Sequence, residues 1–124
     1  MKIVAAPNAF KGSLSATEAA RAMAEGITQV LPEAEVVQVP VADGGDGLVD
    51  VAVETLNGER RTLKVTGPRN TKVEADFCYV KSMDLVTVEM ALASGLALLP
   101  EDLQDPALTT TYGTGELIRA GLDL

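Results

Sequence analysis

Two aspartates on a glycine-rich turn are the residues with the clearest capacity for chemistry. Asp43 and Asp46 lie in Asp43-Gly44-Gly45-Asp46-Gly47, between a β-branched run and a second apolar run at 48–56. Glycine has no Cβ, so this backbone can adopt positive φ and a ligand can approach closely. Two carboxylates three residues apart can face one small space and suit Mg²⁺. A polar strand-to-helix turn without a ligand is the alternative interpretation, and the motif alone leaves both open.

A second polar loop follows the first apolar run of the chain. Asn8, Lys11 and Ser13 place an amide, an ammonium and a hydroxyl just beyond residues 2–6. If the apolar runs at 2–6 and 35–41 form neighbouring parallel strands, this loop and the aspartate turn leave the same sheet edge. Lys11 would then lie near both aspartates and could hold a phosphate or carboxylate. A solvated loop lysine is the alternative.

Two later stretches also concentrate polar groups. Glu89 lies in an apolar run at 86–92, and a carboxylate there is costly unless it is paired or ligated. We therefore expect Glu89 to be either functional or exposed at an edge. Thr109 to Gly115 places three consecutive hydroxyls and two glycines at a predicted helix start, where free N–H groups suit an anion. A threonine-rich N-cap is the alternative.

Composition narrows the classes of function. Ten Lys+Arg against eighteen Asp+Glu give a formal charge of −8, which argues against nucleic acid or an anionic membrane as the main partner. The chain has no histidine, so Ser-His-Asp and Cys-His catalysis and histidine metal sites are excluded. Cys78 is the single cysteine, and no apolar run is long enough for a signal sequence or a membrane span. We expect a cytoplasmic protein.

Hydrophobic spacing predicts a parallel α/β arrangement in the first half. Residues 2–6 predict a buried strand. Ser15 and Glu18 have the spacing of a capping box at the start of an amphipathic helix that ends before Pro32. A strand at 35–41 and a helix from Leu48 that closes at Asn57-Gly58 follow, and this order favours a parallel sheet.

A different pattern begins near residues 58–67. Alternation at 60–66 and 72–77, around a turn at 67–70, predicts antiparallel strands with one wet face. A strand at 85–90 and a helix at 116–122 follow. No strand completes the last unit, so we interpret the chain as part of a longer protein.

The four polar loops, taken in order, resemble those of the bacterial type I glycerate kinases. The resemblance runs over essentially all 124 residues and indicates an N-terminal portion. The stretches that carry it are Asn8-Ala9-Phe10-Lys11-Gly12-Ser13, Pro40-Val41-Ala42-Asp43-Gly44-Gly45-Asp46-Gly47, residues 88–96 and residues 109–118.

The resemblance implies an α/β fold, in which a flavodoxin-like parallel-sheet domain receives an inserted second α/β domain. We expect residues 1–62 to belong to the first and residues 63–124 to begin the second. The implied activity is transfer of the γ-phosphoryl group of ATP to D-glycerate, commonly giving 2-phosphoglycerate, in a cleft that binds glycerate and ATP with Mg²⁺.

Roles carry over onto the matching positions. Lys11 and Asp43 are expected to be catalytic, and Asp43 and Asp46 to hold the metal. The residues expected to bind substrate or phosphate are Asn8, Ser13, Gly44, Gly45, Glu89, Ser94, Thr110, Thr111, Gly113, Thr114 and Gly115.

Asn8-Ala9 stands where the family usually has Asp-Ser, and Asp46 where it usually has Glu. The change at Asn8 is the more serious, because an amide cannot act as a base and binds Mg²⁺ more weakly than a carboxylate. The alternative function is therefore a degenerate or truncated, non-catalytic module that binds small anions; an inactive structural fragment is a third. We expect the 124-residue chain alone to lack turnover and to form homo-oligomers through exposed apolar surface.

Overall fold

Two separate sheets form the framework of the computed structural model, which describes residues 1–124. The first pairs two parallel strands, and the second is an antiparallel sheet in the order β3-β4-β5. The elements are β1 (Lys2–Ala5), α1 (Ala16–Val30), β2 (Glu35–Gln38), α2 (Leu48–Thr55), β3 (Glu59–Thr66), β4 (Lys72–Val80), β5 (Leu85–Val88), α3 (Met90–Ser94) and α4 (Tyr112–Leu122). Short 3-10 turns occupy Lys81–Met83, Leu96–Leu98, Glu101–Leu103 and Pro106–Leu108. The mixed α/β class is as predicted.

The parallel pair and α1 follow the sequence pattern closely. β1 and β2 run in register from Lys2 opposite Glu35 to Ala5 opposite Gln38. The capping box at the start of α1 is confirmed: Ser15 Oγ accepts from the Glu18 N–H at 3.2 Å, and the Glu18 carboxylate accepts from the Ser15 N–H at 2.9 Å. The helix buries the alanines Ala16, Ala19, Ala20 and Ala24.

The prediction of a buried first strand is wrong. Val4 is 57% exposed and only Ala5 of β1 is buried. The cause is topological, since β1 has β2 as its only strand neighbour and its other edge is free. An apolar groove of about 650 Å³ therefore runs between β1 and α1, lined by Val4, Met23, Ile27 and Val30 among others.

The antiparallel sheet buries both of its faces at β4, not one as predicted. On one face Ala75 and Phe77 pack with Val65, Ala93 and Leu117. On the other face, Cys78 and Val80 pack against Val49 and Ala52 of α2. The alternation of β4 stops at Phe77 because the strand then runs beneath α2, so both its faces become apolar.

Helix α2 thus belongs with the antiparallel sheet and not with β1 and β2. It packs against β3, β4 and β5, and Arg60 ties it down by pairing with Asp50 on α2 at 2.6 Å and Asp76 on β4 at 3.0 Å. The turn at 43–47 is therefore where the chain leaves the parallel pair for the second sheet. None of the helices is both long and apolar enough to cross a bilayer.

Candidate functional site

The first two polar loops leave the same edge of the parallel pair. Pairing continues past the ends of the strands, because the Val39 N–H donates to Ala5 O at 2.8 Å and the Val41 N–H to Pro7 O at 3.1 Å. Asn8 follows the first of these segments and Asp43 the second. The expected shared edge is therefore present.

The Lys11 loop is a tight, exposed turn. The Phe10 N–H donates to Leu14 O at 2.8 Å and the Ser13 N–H to Phe10 O at 2.8 Å, with Gly12 at φ +73°. Lys11 lies at the tip and takes part in none of the six ion pairs. The two loops share an edge, but no ion pair joins Lys11 to Asp43 or Asp46.

The aspartate loop is shaped by its glycines and by one of its own side chains. Gly44 and Gly47 have φ of +95° and +86°, a conformation that favours glycine. Asp43 Oδ1 accepts from the Gly45 N–H at 3.1 Å, which fixes that carboxylate on the turn. Asp46 is exposed and has no hydrogen-bond or ion-pair partner in the protein. The chain gathers no group of three or more His, Cys, Asp or Glu side chains that could hold a metal.

Glu89 lies between β5 and α3 and is buried, with 4% of its surface exposed, and its carboxylate lies at the start of α2. Its Oε1 accepts from the Gly47 N–H at 3.1 Å and its Oε2 from the Val49 N–H at 3.2 Å. The first N–H groups of a helix have no partner within the helix, and Gly47 at the N-cap has no side chain to supply one. A carboxylate 40 and more residues further along the chain does so.

The third and fourth loops meet through a pair of hydroxyls. Ser94 Oγ and Thr114 Oγ1 are 2.7 Å apart and share a hydrogen bond between α3 and α4. Ser94 also lines a cavity of about 340 Å³ with Pro68, Gln104 and Thr109. The Thr110 N–H donates to Pro68 O at 2.9 Å, which anchors the fourth loop on the β3–β4 turn.

Helix α4 starts at Tyr112, four residues before the predicted start at 116, so Gly113, Thr114 and Gly115 form its first turn. Thr110 Oγ1 accepts from the Tyr112 N–H at 3.1 Å. Gly113 is buried where a Cβ would collide with the Thr66 carbonyl oxygen, whereas Gly115 faces open space. Thr111 is exposed and makes no side-chain hydrogen bond at the cap.

Glu116 also helps to hold this region together, and this role was not predicted from the sequence. Its carboxylate accepts from the Thr66 N–H at 2.5 Å and lies 3.4 Å from Lys72 Nζ. These contacts, the backbone N–H of Thr66 first, lower the pKa of Glu116 below its usual range. The one signal in the sequence is the place of Glu116 beside two glycines at a helix start. Its partner Thr66 lies 50 residues earlier, so this contact could not be predicted from the local pattern.

Hydrogen bonds thus join all four loops in series. Backbone pairing of Pro7 with Val41 joins the segments that lead into the Asn8 and Asp43 loops, Glu89 joins the aspartate loop to α3, and Ser94 joins α3 to α4. Lys11, Ser13 and Thr111 are exposed and remain outside these contacts.

Comparison with known proteins gives a consistent assignment. The model of the glycerate kinase family matches residues 3–124. The chain is 49% identical over 123 residues to the glycerate kinase of Bacillus subtilis strain 168, and 46% identical over 123 residues to the glycerate 2-kinase of Escherichia coli K12. Each alignment covers 99% of this chain and 32% of the relative.

A solved structure of a related protein has the same fold as this chain. The fold matches that of a Salmonella typhimurium LT2 protein designated glycerate kinase 2, with a TM-score of 0.80 and 44% identity over 99% of this chain and 33% of that one. The chain therefore spans about a third of the length of the relatives it matches. Because the family match extends over nearly all of its residues, the chain belongs to the glycerate kinase family.

Proposed function

We propose that this chain supplies the N-terminal third of a glycerate kinase that transfers the γ-phosphoryl group of ATP to D-glycerate and forms 2-phosphoglycerate. The observation that carries the proposal is the hydrogen-bonded series of four polar loops in a chain of this family. The name of the Escherichia coli relative, glycerate 2-kinase, supports the position of transfer.

Anion binding falls to the first two loops in this proposal. Lys11, Asn8 and Ser13 are exposed and able to receive a carboxylate or phosphate. In the aspartate loop, the N–H groups of Gly44 and Asp46 have no acceptor within the protein, so they remain free for an anion. Phosphoryl transfer depends mainly on positioning and charge stabilisation, which such groups provide.

The aspartate loop also fits Mg²⁺. Asp43 and Asp46 are exposed, and Asp43 Oδ2 and both oxygens of Asp46 have no partner. Mg²⁺ commonly takes one or two protein carboxylates and completes its shell with water and phosphate, so two aspartates suffice without a third ligand. A metal held there would neutralise charge on the phosphates of ATP.

The start of α4 is proposed to bind phosphate through Thr110, Thr111, Thr114 and Gly115, with Ser94 beside them. The positive end of a helix favours an anion. Gly115 is open to solvent, so a ligand can reach this turn, whereas the buried Gly113 serves the close approach of α4 to β3.

The architecture proposed for the whole protein is a flavodoxin-like domain with an inserted second α/β domain. The parallel β1–β2 pair would belong to the first. The boundary predicted after residue 62 falls within β3, so we propose that the second domain begins at the turn at 43–47, after which α2 packs on the antiparallel sheet. The free edge of β1 is consistent with a further strand in the first domain.

Coupled assays of ATP turnover on the full-length protein and on the 124-residue chain test this function. We expect D-glycerate-dependent turnover in the full-length protein only, and NMR of the product should identify 2-phosphoglycerate. A full-length protein that folds but shows no glycerate-dependent turnover overturns the proposal.

Asn8 favours one alternative, a module that binds small anions without catalysis. Its Oδ1 accepts from the Ala9 N–H at 2.7 Å and belongs to an amide that cannot act as a base. Calorimetric binding of D-glycerate without turnover would support this alternative. In that case Asn8→Asp should create activity.

A further inference from the structure

We propose that Glu89 is a positioning residue that holds the aspartate loop in its working conformation, and that it does so without touching the substrate. This inference rests on the proposed kinase function, because it assigns the task of one residue within that site. Glu89 lies at the junction of β5 and α3, on the antiparallel sheet, whereas the aspartate loop extends from the parallel pair. The residue therefore connects the two halves of the chain.

The hydrogen bonds of Glu89 occupy the place where an anionic ligand would bind to α2. Each carboxylate oxygen accepts one N–H from the helix start, Oε1 from Gly47 and Oε2 from Val49. The positive end of a helix attracts an anion, and the anion here belongs to the protein itself. With 4% of its surface exposed, the side chain has almost no area left for a substrate.

These bonds act on the conformation of the aspartate loop. Gly47 is both the last residue of the loop and the N-cap of α2, and its positive φ is a conformation that glycine leaves easily. The other bonds within the loop are local: the Gly45 N–H donates to Asp43, and the Leu48 N–H donates to Gly45 O at 3.3 Å. Glu89 is thus the one side chain from outside the loop that fixes where it ends.

The consequence for the site is the placement of Asp43 and Asp46. Both are exposed and neither is held by a partner beyond the loop, so their spacing depends on the loop backbone. Releasing Gly47 would let that backbone sample other conformations and weaken metal binding. The polarity of the loop and the volume of the core would be unchanged.

Glu89→Gln in the full-length protein isolates this role. Glutamine keeps the shape but has a single acceptor oxygen, so one of the two N–H bonds is lost. We expect kcat to fall about tenfold or more and the Mg²⁺ concentration for half-maximal activity to rise, with the KM for D-glycerate changed by less than about twofold. Amide hydrogen exchange at Gly47 and Val49 should become about tenfold faster.

Val80→Ala is the matched control. Val80 is buried in the same core beneath α2 and forms no hydrogen bond with the aspartate loop. The Val80→Ala substitution should lower thermal stability while leaving kcat, the Mg²⁺ requirement and amide hydrogen exchange at Gly47 unchanged. The same kinetic losses in Val80→Ala would attribute the effect to general destabilisation and overturn the proposal.

The outcomes separate the possible roles of Glu89. A KM for D-glycerate raised about tenfold without faster exchange would make Glu89 a substrate ligand, and faster exchange with unchanged kcat and Mg²⁺ requirement would make it a structural cap. Either result overturns the positioning role. Absence of wild-type turnover overturns the proposed function instead, and hydrogen exchange, which needs no substrate, still decides whether Glu89 holds the loop.

Discussion

Asp43 and Asp46 differ in how firmly the loop holds them. Asp43 accepts from the Gly45 N–H, whereas Asp46 has no partner, so Asp43 is the better placed metal ligand. We predict that Asp43→Asn in the full-length protein lowers kcat by roughly two orders of magnitude and raises the Mg²⁺ requirement. Asparagine can still accept from Gly45, so the loss reports charge and not the turn. Steady-state kinetics across a Mg²⁺ titration measure both effects.

Asp46→Asn is the comparison within the same loop and should have the smaller effect. If Asp43→Asn keeps normal turnover and normal Mg²⁺ dependence while lowering only thermal stability, the loop is a structural turn and the metal assignment is wrong.

Lys11 is tested by removing its charge. It is exposed and outside every ion pair, so Lys11→Ala should leave the fold unchanged. We predict that kcat/KM for D-glycerate or ATP falls at least tenfold, because one charge-assisted hydrogen bond to an anion is worth about 1.5–3 kcal/mol. Lys64→Ala, at an exposed position on β3, is the control. Equal kinetics in the two variants would make Lys11 a solvated loop residue.

For individual residues, the sequence predicted local motifs better than it predicted hydrogen-bond partners from distant segments. The acidic glycine turn and the capping box of Ser15 and Glu18 are local patterns, and both are present. From its apolar neighbours, Glu89 was expected to be either functional or exposed at an edge, and the structure buries it. Its acceptance of the Gly47 and Val49 N–H groups could not be predicted, because that pairing depends on how two distant segments pack.

At the scale of the elements, the close packing of α4 against β3 depends on one glycine. Gly113 lies where a Cβ would collide with the Thr66 carbonyl oxygen, and backbone atoms cannot move aside as a side chain can. We predict that Gly113→Ala destabilises the full-length protein by about 1–3 kcal/mol. Urea unfolding measures the change.

Gly115→Ala, two residues further along the same helix, meets open space. It should be neutral or stabilise by about 0.4–1 kcal/mol, because alanine loses less backbone entropy than glycine. Similar destabilisation by both substitutions would show that α4 does not approach β3 as described.

A pH-dependent contact holds the sheet beneath α2. The hydrogen bond from the Thr62 hydroxyl, followed by that from Arg60, lowers the pKa of Asp76 below its ordinary value of 3.8. A carboxyl whose pKa is lowered on folding stabilises the fold above its unfolded pKa and loses that contribution as the pH falls through the folded value. The window therefore lies at and below pH 3.8.

Asp76→Asn should accordingly cost about 0.5–1 kcal/mol near neutral pH, a value reduced by the solvent exposure of Arg60. The difference from wild type should shrink as the pH falls below about 3.8, as followed by urea unfolding across pH. A cost independent of pH would assign the effect to packing.

Element types were largely predictable, but layer assignment was not. Alternation predicted the β3–β4 hairpin, helical spacing predicted α1, and the glycine turn before the apolar run at 48–56 predicted α2. The sequence placed α2 with the parallel strands because it follows β2 directly. The structure places it on the antiparallel sheet, where Cys78 and Val80 complete its core. Burial of both faces of β4 follows from that contact and from no local pattern.

At the scale of the whole molecule, the apolar groove between β1 and α1 is an uncovered surface of about 650 Å³. Val30 is 78% exposed and Val4 57% exposed along it, beside the free edge of β1. Exposed apolar patches of this kind favour association, and a free strand edge adds unpaired backbone groups. We predict that the 124-residue chain self-associates at micromolar concentration through this groove, as measured by sedimentation velocity.

Val30→Glu tests the location of that interface. Because Val30 is already exposed, the substitution should leave the fold intact, as circular dichroism can check, while shifting the chain towards monomer. Met83→Glu, at a 59% exposed position in the turn at Lys81–Met83, introduces the same charge outside the groove and should leave association unchanged. A monomeric wild type contradicts the prediction outright. Equal weakening by both variants would mean that added charge, and not loss of the groove, keeps the chains apart.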